Sequence, residues 1–340
     1  MDAIWGAETG IIAGIQAIGD WLTLPATAVS ALGGELFYLA ALPLLLWCVN
    51  AGLGARLSVF LTAGAAVNAL CTILAHAPRP YWYSVRVQPL AMATTFGLPT
   101  AQAQLPVTLW GYLALKTRWR WAVPAALAAA ILIAFSGVYL GTHFLTAVLA
   151  GMALGVAALW LILRYETTVL AWWRGRALRA QVGLALAASL LAPLAAVAWQ
   201  TVVHSQWSAP QAWTGGIPPE VTAASMERVF LVAGAMFGAL AGLSVLAARG
   251  WYSAAGSLVS RAARYVIGIT ILVLFLVAFQ MTVPDTQGIL TPIRDYLCYA
   301  VVAGWISLGA PELFIALKLA QRPAETHPSP PPTPQQAPPS

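Results

Sequence analysis

The chain has 340 residues, of which 60% are hydrophobic and 8% are charged, and its mean hydropathy is +0.78. A soluble protein of this length has too little interior to bury so much apolar side chain, so the composition predicts a protein embedded in lipid. The net charge of +6 would suggest nucleic acid only if the basic residues shared a soluble face, and here they lie between apolar runs. We therefore predict an integral membrane protein that does not bind nucleic acid.

The chain before residue 34 carries Asp2, Glu8 and Asp20 but no Lys or Arg, so we expect no secretory signal peptide there. We expect this stretch to form an interfacial or re-entrant helix. The apolar runs that follow are long enough to cross a bilayer and predict an all-α polytopic membrane bundle of about nine spans. These runs cover residues 34–50, 55–75, 99–115, 120–140, 143–163, 182–203, 228–247, 264–283 and 295–317.

The loops between these runs differ in basic charge. With nine spans, 13 of the 17 Lys and Arg residues fall on one side of the membrane. Cytoplasmic loops are rich in Lys and Arg, so this side is predicted to be cytoplasmic, together with the C-terminus. The other four, on the predicted extracytoplasmic side, are Arg79, Arg86, Arg228 and Arg294. Composition and topology together suit a bacterial inner membrane.

Three regions are predicted along the chain. Residues 1–165 form a membrane domain that contains five of the spans, and residues 166–320 form an additional region of four spans. Residues 321–340 are polar and rich in Pro, too poor in apolar side chains to bury a core, so we predict a disordered tail.

Three segments of the first region stand in an order and spacing that resemble a known set of motifs. They are AHAPRP at 75–80, GLPTAQAQ at 97–104 and SGVYLGTHFLTAVLAG at 136–151. They resemble the three signatures of the type 2 phosphatidic acid phosphatase and vanadium haloperoxidase superfamily. The resemblance covers about residues 20–165 and implies a helical bundle that holds a phosphatase site at the outer membrane surface.

The predicted topology indicates a site at the same membrane surface, independently of the resemblance. Arg79, Gln102 and His143 each fall at the predicted extracytoplasmic end of a span. We therefore expect these three distant residues to converge on one pocket at that surface.

The first two motifs have lost charged or titratable side chains. In the family, the first motif is a Lys, six residues and Arg-Pro, and its Lys and Arg bind phosphate. Here Arg79 and Pro80 match, while Thr72 stands at the Lys position. The second motif is Pro-Ser-Gly-His, whose His protonates the leaving group. Thr100 takes the Ser position beside the phosphate and Gln102 takes the His position, where an amide has no proton to give.

The third motif keeps its nucleophile position but not the groups around it. The family pattern is Ser-Arg, five residues, His, three residues, Asp; the His takes the phosphoryl group, the Arg binds phosphate and the Asp orients the His. Ser136 and His143 match, whereas Gly137 replaces the Arg and Ala147 replaces the Asp. Residues 143 and 147 lie one helical turn apart, so a carboxylate at 147 could fix the imidazole tautomer, and a methyl group cannot.

Together these replacements predict a catalytically impaired member of the superfamily. Phosphoryl transfer depends on positioning and on neutralising charge, and of three cationic ligands only Arg79 remains. We expect the protein to bind anionic lipids or isoprenoid phosphates through Arg79 and His143, or to act as a subunit for a protein partner that the sequence does not identify. The alternative is a weak lipid-phosphate or polyprenyl-phosphate phosphatase with His143 as nucleophile, which would need substitute cations such as Arg228 and Arg294.

Other classes are less well supported by the residues. Glu312 is the main charged residue within a span, whereas ion-coupled transporters usually embed several, although a lipid scramblase would not need them. A vanadium haloperoxidase would need the missing cationic ligands. Cys48, Cys71 and Cys298 lie in or beside apolar runs, without the spacing of a metal site, so we expect buried thiols, no bound metal and no cofactor.

Overall fold

The computed structural model describes residues 1–282 and 290–323, and within these residues every regular element is helical, as predicted. The helices are α1 (Asp2–Gln16), α2 (Thr23–Ala31), α3 (Glu35–Leu44), α4 (Ala51–Ala75), α5 (Pro80–Tyr83), α6 (Ala101–Lys116), α7 (Ala122–Tyr139), α8 (Leu145–Arg174), α9 (Leu178–Ala198), α10 (Val221–Ala248), α11 (Leu258–Thr282), α12 (Leu290–Gly304) and α13 (Ala310–Ala316). Single π-helical turns extend α3, α9 and α12 at Leu45–Val49, Trp199–Val203 and Trp305–Gly309. The predicted tail 321–340 lies outside the described residues except for 321–323.

Seven helical segments of the described chain are long and apolar enough to cross a membrane. An eighth forms if Asp20–Ala31 and Glu35–Val49, which are bent by 46° relative to each other, count as one broken span. The predicted span 99–115 corresponds to α6, which has 16 residues. At 1.5 Å per residue this helix is about 24 Å long, less than the roughly 30 Å of a hydrocarbon core. The polytopic helical bundle is confirmed, and the count of nine spans is approximate.

The ends of α4 and α6 place the first two motifs side by side. Asn50 caps the start of α4 by accepting a hydrogen bond from the backbone of Leu53 at 2.9 Å, and α4 ends at His76, whose φ of +46° is left-handed. Thr100 caps the start of α6 by accepting from the backbone of Gln102 at 3.1 Å. Since the two helices run antiparallel, the segments after α4 and before α6 meet at one end of the bundle.

Helix α8 packs closely on α6 through two glycines one turn apart. A Cβ at Gly151 would lie 2.3 Å from the carbonyl oxygen of Thr100, and one at Gly155 would lie 2.7 Å from that of Gln104. Small residues at this spacing allow helix backbones to approach, as is common between membrane helices. The contact fixes the start of α8, and with it the third motif, against the second motif.

Replacing Gly151 with Ala is expected to lower the free energy of unfolding by about 1–3 kcal/mol, because the new methyl group would force the two backbones apart. Thermal unfolding in detergent micelles would measure the change. Gly183→Ala in α9 is the matched control, since nothing lies within 4 Å of a Cβ at that position. Equal stability of the two variants would contradict the close packing of α6 and α8.

Buried side-chain amides form hydrogen bonds between α4 and α6, close to the first two motifs. The side-chain nitrogen of Asn68 donates to Gln104 at 2.8 Å and to the Pro99 carbonyl at 3.3 Å. Gln104 in turn donates to the carbonyl of Gly64 at 3.0 Å. These bonds satisfy polar groups inside an apolar bundle, where unpaired groups are destabilising.

The predicted region 166–320 shares a buried core with the first region. Trp47 and Leu46 from the first region pack in one apolar cluster with Leu246 and Phe314 from the second. The indole of Trp47 donates to the Ile306 carbonyl at 2.9 Å. The two regions therefore form one packed bundle over these residues, while the boundaries of the three regions stay a prediction.

Candidate functional site

The three motifs meet at one end of the bundle. Arg79 donates to the carbonyl of Thr142, the residue before His143, at 3.0 Å. The Thr100 hydroxyl lies 3.1 Å from Nε2 of His143, and the Gln102 amide lies 3.4 Å from the Ser136 hydroxyl. We call this group of residues, Arg79, Thr100, Gln102, Ser136 and His143, the motif site.

Arg79 is buried and held by the protein's own oxygen atoms. Its Nε donates to the Thr95 carbonyl at 2.7 Å, and its Nη2 donates to the Thr95 hydroxyl at 3.0 Å and the Phe96 carbonyl at 3.2 Å. With the bond from Nη1 to Thr142, four of the five N–H groups of the guanidinium are engaged. The guanidinium also lies 5.7 Å from the ring centre of Trp82. Arg79 thus links the loop of residues 94–97 to the third motif.

The Nε2 atom of His143 lies within hydrogen-bonding distance of the Thr100 hydroxyl, at 3.1 Å. The Thr100 oxygen already accepts the backbone N–H of Gln102, so its own proton is available for Nε2. Among the described residues no group meets hydrogen-bond geometry with the buried Nδ1 of His143, although the backbone of Gly97 lies close enough to favour the protonated ring. Burial, and to a smaller extent the charge of Arg79, lower the pKa of His143 well below its usual value. The ring is therefore neutral at neutral pH.

Ala147 lies within an apolar cluster beside His143. Its side chain is 1% exposed and packs in the cluster that contains Ala103, Val138 and Phe144. Its carbonyl accepts the backbone N–H of Thr100 at 3.2 Å, so it joins the second and third motifs through the backbone alone. No charge at position 147 is available to orient the imidazole or stabilise its protonated form.

Gln102 fills the space beside Gly137. Its Nε2 donates to the Ser30 hydroxyl of α2 at 2.7 Å as well as approaching Ser136. A Cβ at Gly137 would lie 2.8 Å from the His143 ring and 3.0 Å from the Gln102 side-chain oxygen. The position at which the resemblance implies a phosphate-binding Arg is therefore closed by the two neighbouring side chains.

Thr72 and Ser136 have hydrogen bonds within the helical framework. The Thr72 hydroxyl donates to the carbonyls of Asn68 at 2.8 Å and Pro99 at 3.3 Å. The Ser136 hydroxyl donates to the Ile133 carbonyl at 2.7 Å. Both side chains are buried and connect elements of the bundle.

Helix α1 lies against the third motif through Glu8, a residue that sequence reasoning did not assign to the site. The Glu8 carboxylate accepts the backbone N–H of Thr146 at 3.0 Å and its hydroxyl at 3.2 Å. Trp5 stacks on Phe144 with ring centres 5.8 Å apart. A carboxylate thus occupies the N-terminal end of α8, where the helix dipole favours an anion. Burial raises the pKa of Glu8 above its usual value, although the bonds from Thr146 act in the opposite direction.

Sequence reasoning also missed a pair of stacked histidines near the motif site. The rings of His76 and His204 stack with their centres 4.3 Å apart and their planes within 8°. The only sequence signal for Glu8 was an acidic residue in the middle of a largely apolar helix. Arg228, expected as a substitute phosphate ligand, is paired with Glu35 at 2.7 Å.

The motif site holds few charged or titratable groups. Within residues 1–282 and 290–323, no group of three or more His, Cys, Asp or Glu side chains could hold a metal ion. The motif site contains one guanidinium, engaged by carbonyls, and one neutral imidazole, engaged by a hydroxyl. It is built as a closed network of internal hydrogen bonds.

Comparison with known proteins identifies the family. Residues 52–171 match the PAP2 superfamily, and residues 230–322 match the PAP2 superfamily phosphatase, transmembrane extension. No curated protein and no solved structure matches the chain. The first match contains all three motifs, and the second covers much of the added helical region. The chain is an integral membrane protein that belongs to the PAP2 superfamily.

Proposed function

We propose that this chain is a catalytically silent member of the PAP2 superfamily, which binds a lipid or a protein partner and does not hydrolyse lipid phosphates. The observation that carries the proposal is the bond between His143 and Thr100. If Nε2 is unprotonated, its lone pair accepts the Thr100 proton; if it is protonated, it has no lone pair to attack phosphorus. In both tautomers Nε2 is engaged by Thr100, and no charge at position 147 favours the tautomer that attack on phosphorus requires.

The lack of cationic phosphate ligands also supports a site without catalysis. Thr72 and Gly137 carry no charge, and a phosphate could make a bidentate contact with Arg79 only by displacing a group that already accepts one of its N–H groups. The Glu8 carboxylate is bonded to Thr146, three residues after His143, and when ionised it would repel a phosphate there. Charge neutralisation is usually the largest contribution to phosphoryl transfer, and here it is largely missing.

A weak phosphatase, the alternative function, would need other cations to replace the missing ligands. Arg228 lies 2.7 Å from Glu35, and Arg294 lies 2.9 Å from Asp295. Each paired carboxylate offsets the positive charge that a phosphate would require. These ion pairs therefore favour a catalytically silent protein over a weak phosphatase.

The ligand and the orientation remain parts of the proposal. Binding of an anionic lipid or isoprenoid phosphate through Arg79 and His143 stays a prediction, and the hydrogen bonds of Arg79 within the protein oppose it. A role as partner subunit needs no phosphate at all. The extracytoplasmic position of the motif site in a bacterial inner membrane rests on the distribution of Lys and Arg.

Phosphate release tests the proposal. The purified chain and its His143→Ala variant would be assayed on phosphatidic acid, phosphatidylglycerol phosphate and polyprenyl phosphates, with an active PAP2 phosphatase in the same micelles. We expect equal release from the chain and its variant, at the background of the assay. Release that is well above background and depends on His143 would favour the weak phosphatase.

A further inference from the structure

A second cavity, separate from the motif site, lies between α3, α4, α10 and α12. Its volume is about 120 Å³, and it shares none of the residues of the motif site. Along its length it is lined mainly by apolar side chains, which include Leu42, Leu61, Ala235 and Ile306. On α10 the lining extends from Arg228 to Ala239, eleven residue steps or about 16 Å along the helix axis. The cavity is therefore long and narrow, and suited to part of an alkyl chain.

One end of this cavity is charged. Arg228 and Glu35 form an ion pair at 2.7 Å, and the Tyr299 hydroxyl donates to the other oxygen of Glu35 at 2.6 Å. The side chains of Arg228 and Glu35 are 37% and 31% exposed, so both can reach a ligand. A neighbouring, more polar cavity of about 390 Å³ shares Leu231 and Tyr299 with the first. A headgroup would have room at this end.

The cavity also contains an unpartnered hydroxyl. Tyr38 is 8% exposed, and its hydroxyl has no hydrogen-bond partner among the described residues. The Ser and Thr hydroxyls on the lining are satisfied by their own helices: Ser58 donates to Gly54 at 2.9 Å, Thr62 to Ser58 at 2.7 Å and Ser307 to Ala303 at 2.7 Å. A buried donor without a partner is rare and points to a ligand acceptor. Tyr38 lies one helical turn from Glu35, at the position where a lipid's ester group would follow its headgroup.

We propose that this cavity binds a zwitterionic, ester-linked glycerophospholipid such as phosphatidylethanolamine. The lipid phosphate pairs with Arg228, its ammonium group pairs with Glu35, and an ester carbonyl accepts the Tyr38 hydroxyl. One acyl chain enters the apolar part of the cavity. A headgroup with both charges matches an Arg and a Glu that already offset each other, whereas a purely anionic headgroup would face Glu35 without compensation.

This site goes beyond the proposed silent function and does not depend on it. It places lipid binding at the contact between the region with the motifs and the added helices, on residues that do not include His143. Phosphatase activity would therefore overturn the proposal that the motif site is silent and leave the proposed lipid site intact. A failure to detect lipid in the cavity would overturn only the lipid site.

Photolabelling tests the site. The full chain in micelles would be labelled with phosphatidylethanolamine that carries a diazirine on one acyl chain, and the labelled peptides would be mapped by mass spectrometry. We expect label on the segments of α3, α10 and α12 that line the cavity. Ala235→Phe, which fills the cavity, should reduce that label at least fivefold. Ala157→Phe on an exposed face of α8 is the matched control and should leave it unchanged. Equal label in the two variants would overturn the proposal.

Headgroup and ester are tested separately. Unlabelled phosphatidylethanolamine should compete for the label better than phosphatidylglycerol, and equal or better competition by phosphatidylglycerol would overturn the zwitterionic assignment. Tyr38→Phe should weaken labelling about fivefold, the effect of one hydrogen bond. The same variant should not lower the unfolding temperature in lipid-free detergent, because the hydroxyl has no protein partner. Unchanged labelling would overturn the role of Tyr38.

Discussion

Replacing Arg79 with Ala is expected to lower the free energy of unfolding by at least about 3 kcal/mol, because the carbonyls of Thr95, Phe96 and Thr142 would lose their donor inside the protein. A residue that served only to bind phosphate would be replaced with little loss of stability. Arg79→Lys should also be destabilising, since an ammonium group cannot reproduce the planar arrangement of donors. Thermal and denaturant unfolding in detergent would measure both variants.

Arg86→Ala provides the control for this prediction. Arg86 lies seven residues further along the same segment and is exposed, so its removal should change stability by less than about 0.5 kcal/mol. If Arg79→Ala proved as stable as Arg86→Ala, the guanidinium would be free in the native protein. It would then be available to a lipid phosphate, and the account of a closed site would fail.

Restoring the four family residues together is expected to raise phosphate release by at least about 10²-fold, the usual contribution of a general acid alone. The combined variant carries Thr72→Lys, Gln102→His, Gly137→Arg and Ala147→Asp. It returns two cationic ligands, a proton donor and a carboxylate that fixes the His143 tautomer. Release of phosphate from phosphatidic acid in micelles would measure the gain.

Each of the four substitutions made alone is not expected to give activity. At Gly137 the structure shows the reason. A side chain there would collide with His143 and Gln102, at 2.8 Å and 3.0 Å from the first added carbon. Gly137→Arg alone should therefore be destabilised and inactive, and Gln102 must change with it. Adding His143→Ala to the four-residue variant should abolish the gain. A four-residue variant that folds but releases no phosphate would show that the lack of activity has a cause outside these positions.

The sequence was sufficient to predict the helical bundle and the meeting of the three motifs. Long apolar runs have few alternatives to membrane helices, and the alternation of loop charge placed Arg79, Gln102 and His143 at one end. The short helix α6 was counted as a span because its apolar run begins before Thr100, where the chain is not yet helical.

The bonds that close the site could not be predicted. Arg79 is held by backbone carbonyls of Thr95, Phe96 and Thr142, and a backbone acceptor leaves no signal in the sequence. The bond from Thr146 to Glu8 joins residues 138 positions apart, on helices whose contact the apolar pattern does not specify. Each of these contacts depends on tertiary packing.

The most direct measurement is covalent labelling of His143. The chain, its His143→Ala variant and the four-residue variant would be mixed with phosphatidic acid labelled with radioactive phosphate, stopped within one turnover under alkaline conditions and analysed for label on the protein. The account predicts label on the four-residue variant and none on the natural chain above the level of His143→Ala. Label on the natural chain that is lost in His143→Ala would show that His143 still takes a phosphoryl group, and would contradict a silent site.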